Sequence, residues 1–139
     1  MELKIQDPKN MEKSISEIID RILEIGGEKI GFISLYGSAA KGKMTALSDI
    51  DIAVFFDGDK QDRFAFRVKI LGRCSNIFDI QTFQDLPLYI QNDILSNGRV
   101  IYSRDFEQTF NIFMNTIRQF GDFKPRLDIY YAGLGEMKG

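Results

Sequence analysis

A small mixed β-sheet flanked by helices, of the α/β (α+β) class, is what this chain of 139 residues predicts. Three observations predict it. An apolar run, Ile30 to Tyr36, and an alternating stretch, Asp49 to Phe56, have the length and β-branched content of strands. Stretches with apolar residues at helical spacing precede the first run and follow the second. Glycines close the segments between them, as at Gly26-Gly27, Gly37 and Asn97-Gly98.

Asp7-Pro8 reads as a helix N-cap and first helical residue. Met11, Ile15, Ile18, Ile22 and Ile25 then recur at helical spacing until Gly26-Gly27 stop the helix. Ile30 to Tyr36 is a buried strand that Gly37 ends. Residues 38–47 make a turn or short helix and a loop. Ile50, Ile52, Val54 and Phe56 alternate with Asp49, Asp51, Ala53 and Phe55. The second strand therefore sets both aspartates on one face and isoleucines on the other. Asp57-Gly58-Asp59 is a turn and a helix cap. Phe64, Val68 and Leu71 mark the apolar stripe of the next helix, which Gly72 closes. Ile77 to Phe83 is a third strand, Leu86 to Leu95 a helix, and Val100-Ile101-Tyr102 a short fourth strand. Ser103 or Asp105 caps a last helix. Its Phe106, Phe110, Phe113, Ile117 and Phe120 follow helical spacing and are expected mostly in the core.

The length fits a single domain over 1–139, with a motif core at about 30–103, a C-terminal helix at about 104–120 and a tail at 121–139. The composition is that of a globular protein, 44% hydrophobic and 27% charged. A net charge of −2, from 18 basic and 20 acidic residues, lacks the dense basic footprint of a nucleic-acid binder. The apolar runs are too short to span a bilayer, and Met1-Glu2-Leu3-Lys4 begins no signal segment. Cys74 is alone, so no intrachain disulfide forms. The expected location is the cytoplasm, with no membrane or nucleic-acid partner, and a homo-oligomer stays open. The chain has no histidine. That excludes a Ser-His-Asp mechanism and Cys/His zinc sites. Acid–base and metal work falls to carboxylates, which suit hard ions such as Mg2+.

The informative pattern is Gly37-Ser38, ten residues, then Asp49-Ile50-Asp51. Two carboxylates on one strand face stand about 7 Å apart along it and can lean together onto metal. Gly37 permits close backbone approach to phosphates. Ser38 supplies a hydroxyl and a backbone N–H at a helix start, an anion site. Lys41 and Lys43 can reach the same phosphates, and Ser48 caps or orients the start of the Asp49 strand. Asp79 interrupts the apolar run Ile77-Phe78-Asp79-Ile80, where an unpartnered charge is costly and a nearby metal explains it. Its role would be to hold a second metal and help deprotonate an attacking hydroxyl. The pattern points to nucleotidyl transfer. Asp49, Asp51 and Asp79 are the catalytic and metal candidates; Gly37, Ser38, Lys41 and Ser48 are the candidates for gripping a nucleoside triphosphate. Arg73 and Arg99 read as surface residues, Cys74 as a small core residue, and Tyr130-Tyr131 as tail packing.

Gly37-Ser38 with Asp49-Ile50-Asp51 resembles the signature of the polymerase-β-like nucleotidyltransferase superfamily, and the short chain looks like its minimal, MntA-type branch. Leu86-Pro87, Gly98-Arg99-Val100-Ile101-Tyr102 and Arg104-Asp105 look like that family's passage into its last helix. The resemblance implies the polymerase-β-like fold, a pair of Mg2+ ions, ATP as substrate, and Asp79 as the expected third carboxylate. It also implies an antitoxin that pairs with a HEPN-type toxin and transfers AMP to a tyrosine hydroxyl on it. Ala39 and Lys41 stand where the family often has arginines; Lys41 keeps the charge without the bidentate fork. Two rival readings follow from the same residues. One is an antitoxin that acts by occlusion without catalysis. The other is a small-molecule transferase of the aminoglycoside-modifying kind.

Overall fold

Ile18 and Ile22, one turn apart, are the buried ridge of the first helix, α1 (Pro8–Gly26). A computed structural model describes residues 8–40, 49–75 and 77–121. Lys41, Lys43, Ser48 and the tail with Tyr130-Tyr131 lie outside the described residues, and of Ser38 and Ala39 the backbone alone is described. After α1 the chain turns at Gly27, whose φ of +57° is a left-handed conformation that a side chain would disfavour. It then enters β1 (Ile30–Tyr36) and one helical turn, α2 (Gly37–Ala40). β2 (Ile50–Phe56), α3 (Lys60–Leu71), β3 (Phe78–Thr82), α4 (Leu88–Asn97) and β4 (Arg99–Ser103) follow. A last helix, α5, covers 106–121. Asp105 rather than Ser103 caps it: its Oδ1 accepts from the backbone N–H of Glu107 and Gln108.

The four strands lie in the order β3-β2-β1-β4. β1 pairs antiparallel with both β2 and β4, and β2 pairs parallel with β3, so the sheet is mixed as expected. The parallel pair needs a crossover, and α3 supplies it. Asp59 begins α3 with a reciprocal capping box: Asp62 N–H donates to Asp59 Oδ1 at 2.8 Å and Asp59 N–H to Asp62 Oδ2 at 3.2 Å.

Each face of the sheet carries its own core. Against α1 and α3 lie Ile33 and Leu35 of β1, Ile50, Ile52 and Val54 of β2, and Phe78 and Ile80 of β3. On the other face Phe32, Ala53, Phe83 and Ile94 pack with Phe113 of α5. A bulge in β1 assigns residues to these faces. Ile30 pairs with Phe56 and Phe32 with Phe55, so Gly31 is an extra residue. A Cβ on Gly31 would lie 2.9 Å from the Phe55 ring, which explains glycine there. Downstream of the bulge, Phe32, Ser34 and Tyr36 share the face opposite Ile33 and Leu35.

Two helices turn differently from the sequence reading. On α3, Phe66 and Ile70 are buried, while Phe64, Val68 and Leu71 are 67%, 53% and 56% exposed. The helix carries two apolar rows, and the sheet takes the one whose Phe66 stacks on Phe56 at 4.8 Å. On α5, Phe113 packs edge-on against Phe32 at 5.3 Å, and Thr109 and Thr116 are buried beside it. Phe106, Phe110 and Ile117 remain 79%, 51% and 47% exposed. The phenylalanine stripe is therefore mostly surface, because a helix lying on a sheet buries one narrow line and the threonines fall on it. Arg73 and Arg99 are exposed, as expected, while Cys74, expected in the core, is only partly buried at the border of the first core.

Candidate functional site

The alternation of β2 that buries Ile50 and Ile52 turns Asp51 toward the opposite face. β3 runs parallel in register, so Asp79 is the direct neighbour of Asp51. On the other side, Tyr36 of β1 is the register partner of Asp51. Three adjacent strands thus bring Tyr36, Asp51 and Asp79 into one row. Asp49 sits exposed just ahead of β2.

The backbone closes over this row at Gly37. Its φ is +65°, and an ideal Cβ there would lie 2.5 Å from Asp51 Oδ2. The Asp51 carboxylate is seated where any larger residue at 37 would put its first carbon. The glycine thus serves the chain's turn and the carboxylate's position together. Gln81 Nε2 donates to Asp79 Oδ1 at 2.9 Å and orients the second carboxylate.

Burial, first, pushes the Asp51 carboxyl above its ordinary range; the charges of Asp79 and Asp49 and a side-chain hydrogen bond with Asp79 add to it. The Tyr36 phenol is pushed up to about 12 by burial and then by Asp51 and Asp79, with Arg67 opposing. The row gathers negative charge, which Arg67 partly offsets.

Among the described residues, no three metal-ligating side chains stand together at ligand range. Asp51 and Asp79 form the close pair, and Asp49 acts on Asp51 through its charge. A hard divalent cation such as Mg2+ fits this donor set: the side chains offer oxygens alone, and two neighbouring carboxylates repel until a cation joins them. Of the remaining candidates, Gly37 and the Ser38 backbone lie in α2 at the end of β1, beside the carboxylates. Lys41 and Ser48 lie outside the described residues.

Sequence reasoning passed over Tyr36 and Arg67. Tyr36 follows Phe32 and Ser34 at a spacing of two, but the Gly31 bulge that puts this set on the carboxylate face has no sequence signature of its own. For Arg67 the available signal was its place four residues after Arg63 on one helix.

With this geometry in view, comparison with known proteins is direct. Residues 15–107 match the polymerase beta nucleotidyltransferase family. The chain belongs to that family. A Methanocaldococcus jannaschii protein, provisionally named a protein adenylyltransferase, is 42% identical over 79 residues. That match takes in 57% of this chain and 61% of the relative, so the chain spans about three fifths of the relative's length. A solved toxin–antitoxin structure with AMP-PNP has a similar fold, with a TM-score of 0.70 at 18% identity over 85% of this chain and 96% of that one. The Shewanella oneidensis structure of a tri-AMPylated HEPN toxin with MNT antitoxin gives 0.67 at 17% identity, over 88% and 97%. The polymerase-β-like nucleotidyltransferase fold expected from Gly37-Ser38 and Asp49-Ile50-Asp51 is the fold observed.

No helix among the described residues is long and apolar enough to cross a membrane.

Proposed function

We propose that this protein is a Mg2+-dependent nucleotidyltransferase that moves AMP from ATP to a tyrosine hydroxyl of a HEPN-type toxin, and is that toxin's antitoxin. The observation that carries the reading is the seating of the Asp51 carboxylate against Gly37 and beside Asp79. A carboxylate pair held against an open backbone turn suits a phosphate-bound divalent ion. The relative's provisional name and the toxin–antitoxin neighbours supply the acceptor class.

Each residue then has a role. Gly37 and Ser38, with Lys41 and Ser48 from the segment that follows in sequence, grip the triphosphate. Asp49, Asp51 and Asp79 would hold divalent metal, which would supply charge neutralisation for the transferring phosphoryl group and the leaving pyrophosphate. Asp79, on the outer strand, takes the proton of the attacking hydroxyl. The acceptor oxygen forms a bond to the α-phosphorus. The bond between that phosphorus and the oxygen bridging to the β-phosphate breaks, and pyrophosphate leaves.

The test is transfer of label from α-32P-ATP to a HEPN-type partner protein. Label on the partner that requires Mg2+, and that disappears with Asp49→Asn/Asp51→Asn, is expected. A variant that still neutralises the toxin as well as the wild type would instead identify occlusion as the mechanism.

A further inference from the structure

Gln81 stands between two regions of one sheet face. Asp79, two residues before it on β3, belongs to the carboxylate row. On its other side lies the second core, with Phe83 and Gln81's own register partner, Ala53. Packing there would be served by an apolar residue at 81. The side chain instead turns back along β3, and its Nε2 donates to Asp79 Oδ1 at 2.9 Å. Residues two apart on a strand share a face at about 7 Å, a gap that a glutamine side chain spans.

That hydrogen bond governs how Asp79 presents its two oxygens. Gln81 lies along β3 from Asp79, whereas Asp51 lies across the sheet on β2, its direct register partner. With Oδ1 drawn along the strand, Oδ2 is the oxygen left for a cation shared with Asp51. Chelation by both oxygens would require the carboxylate to turn away from Gln81 and lose the bond. Asp51 is restrained in its own way, because its Oδ2 is seated against Gly37. The pair thus offers few oxygens, in fixed positions.

Mg2+ and Ca2+ answer differently to such a site. Mg2+ demands near-ideal octahedral geometry at about 2.0–2.1 Å and keeps several waters. Ca2+ takes about 6–8 oxygens at about 2.3–2.6 Å and accepts both oxygens of one carboxylate. Selectivity between them follows ligand number and flexibility, and a hydrogen bond to a ligating carboxylate limits both. We propose that Gln81 is the positioning residue that restricts Asp79 to one oxygen toward metal and thereby tilts the site toward Mg2+ over Ca2+. This rests on the reading above that Asp51 and Asp79 hold divalent metal.

The experiment uses the metals alone with the full chain. Mn2+, a hard ion that suits the same oxygens, is added and its free form read by electron paramagnetic resonance. Mg2+ or Ca2+ is then titrated to displace it. The variants are Gln81→Met, close in shape without the donor, and Gln81→Glu, with an oxygen in the donor's place. Gln91→Met is the comparison, because Gln91 Nε2 holds a turn instead, donating to Phe83 O at 2.9 Å and Leu86 O at 3.2 Å. Losing an outer hydrogen bond to a ligand costs about 10- to 100-fold in metal affinity. Gln81→Met should therefore need about tenfold more Mg2+ for displacement, with Ca2+ within about twofold of wild type. Gln81→Glu should also move the ratio toward Ca2+, and Gln91→Met should leave it unchanged. An unchanged ratio in either Gln81 variant that folds, or an equal change in Gln91→Met, overturns the proposal, while Mg2+-dependent label transfer by the wild type keeps the function intact. Mn2+ held as tightly by Asp51→Asn/Asp79→Asn as by the wild type places the ion elsewhere and also overturns it. A wild type that leaves Mn2+ free and transfers no label overturns both readings.

Discussion

Replacing Gly37 by alanine tests the site at its tightest point. The substitution has two costs that can be separated. A left-handed φ of +65° disfavours any L side chain by about 1–2 kcal/mol. The new Cβ would also lie 2.5 Å from Asp51 Oδ2, where ordinary contact begins near 3.4 Å, so the carboxylate must withdraw by about 1 Å. Gly27→Ala is the matched comparison: φ there is +57°, and nothing lies within 4 Å of the added carbon. Both variants should lose about 1–2 kcal/mol in urea denaturation, about 3–7 °C in Tm for a domain of this size. Gly37→Ala alone should disturb the site. A misplacement of about 1 Å in a positioned group costs up to about 100-fold, so Mg-ATP affinity or transfer rate should fall about 10- to 100-fold. Calorimetry with Mg-ATP and the transfer assay measure this directly. Gly37→Ala binding Mg-ATP within twofold of wild type would refute the seating of Asp51 as a functional contact. So would an equal loss in Gly27→Ala.

Asp51→Asn should stabilise the fold at neutral pH while abolishing Mg-ATP binding. Because the folded-state pKa of Asp51 is raised, its ionisation costs stability as pH rises through that pKa; urea midpoints should show the variant's advantage at pH 7 and none near pH 3. Asp85 has the opposite sign. Its hydrogen bond with Arg63 is the largest influence holding its carboxyl below the usual range, so its contribution is present above the unfolded carboxylate pKa and lost as pH falls. Asp85→Asn should therefore cost about 0.5 kcal/mol at pH 7, a value discounted for exposure, and less in acid. Phe113→Ala should cost about 3 kcal/mol by thermal denaturation because it opens the Phe32 cluster, whereas Phe106→Ala should stay within about 0.5 kcal/mol.

The strands of this protein are legible because their pattern has one solution. Ile30–Tyr36 matches the sequence reading residue for residue, since glycine bounds it; strict alternation carries the second strand to Phe56, but it begins at Ile50 and leaves Asp49, expected on its face, just outside. Asp51 was legible by its alternation with apolar residues and Asp79 as a charge interrupting an apolar strand; that the two are neighbours was not, and the parallel register decides it. The helix faces were not legible. On α3 the rows Phe64/Val68/Leu71 and Phe66/Ile70 satisfy helical spacing equally, and periodicity does not say which row meets Phe56. On α5 the most apolar line is not the buried one, because Thr109 and Thr116 face the sheet.

The sequence by itself determined the candidate chemistry: oxygen donors without histidine, a glycine turn, and aspartates spaced two apart where a strand begins. Those properties are local, and local spacing decides them. Only the tertiary structure decided which side chains join that chemistry. A single extra residue at Gly31 turns Tyr36 onto the carboxylate face, and the crossover through α3 brings Arg67 within electrostatic reach of Tyr36. Both depend on how strands pair across the sheet, and pairing joins residues far apart in the chain.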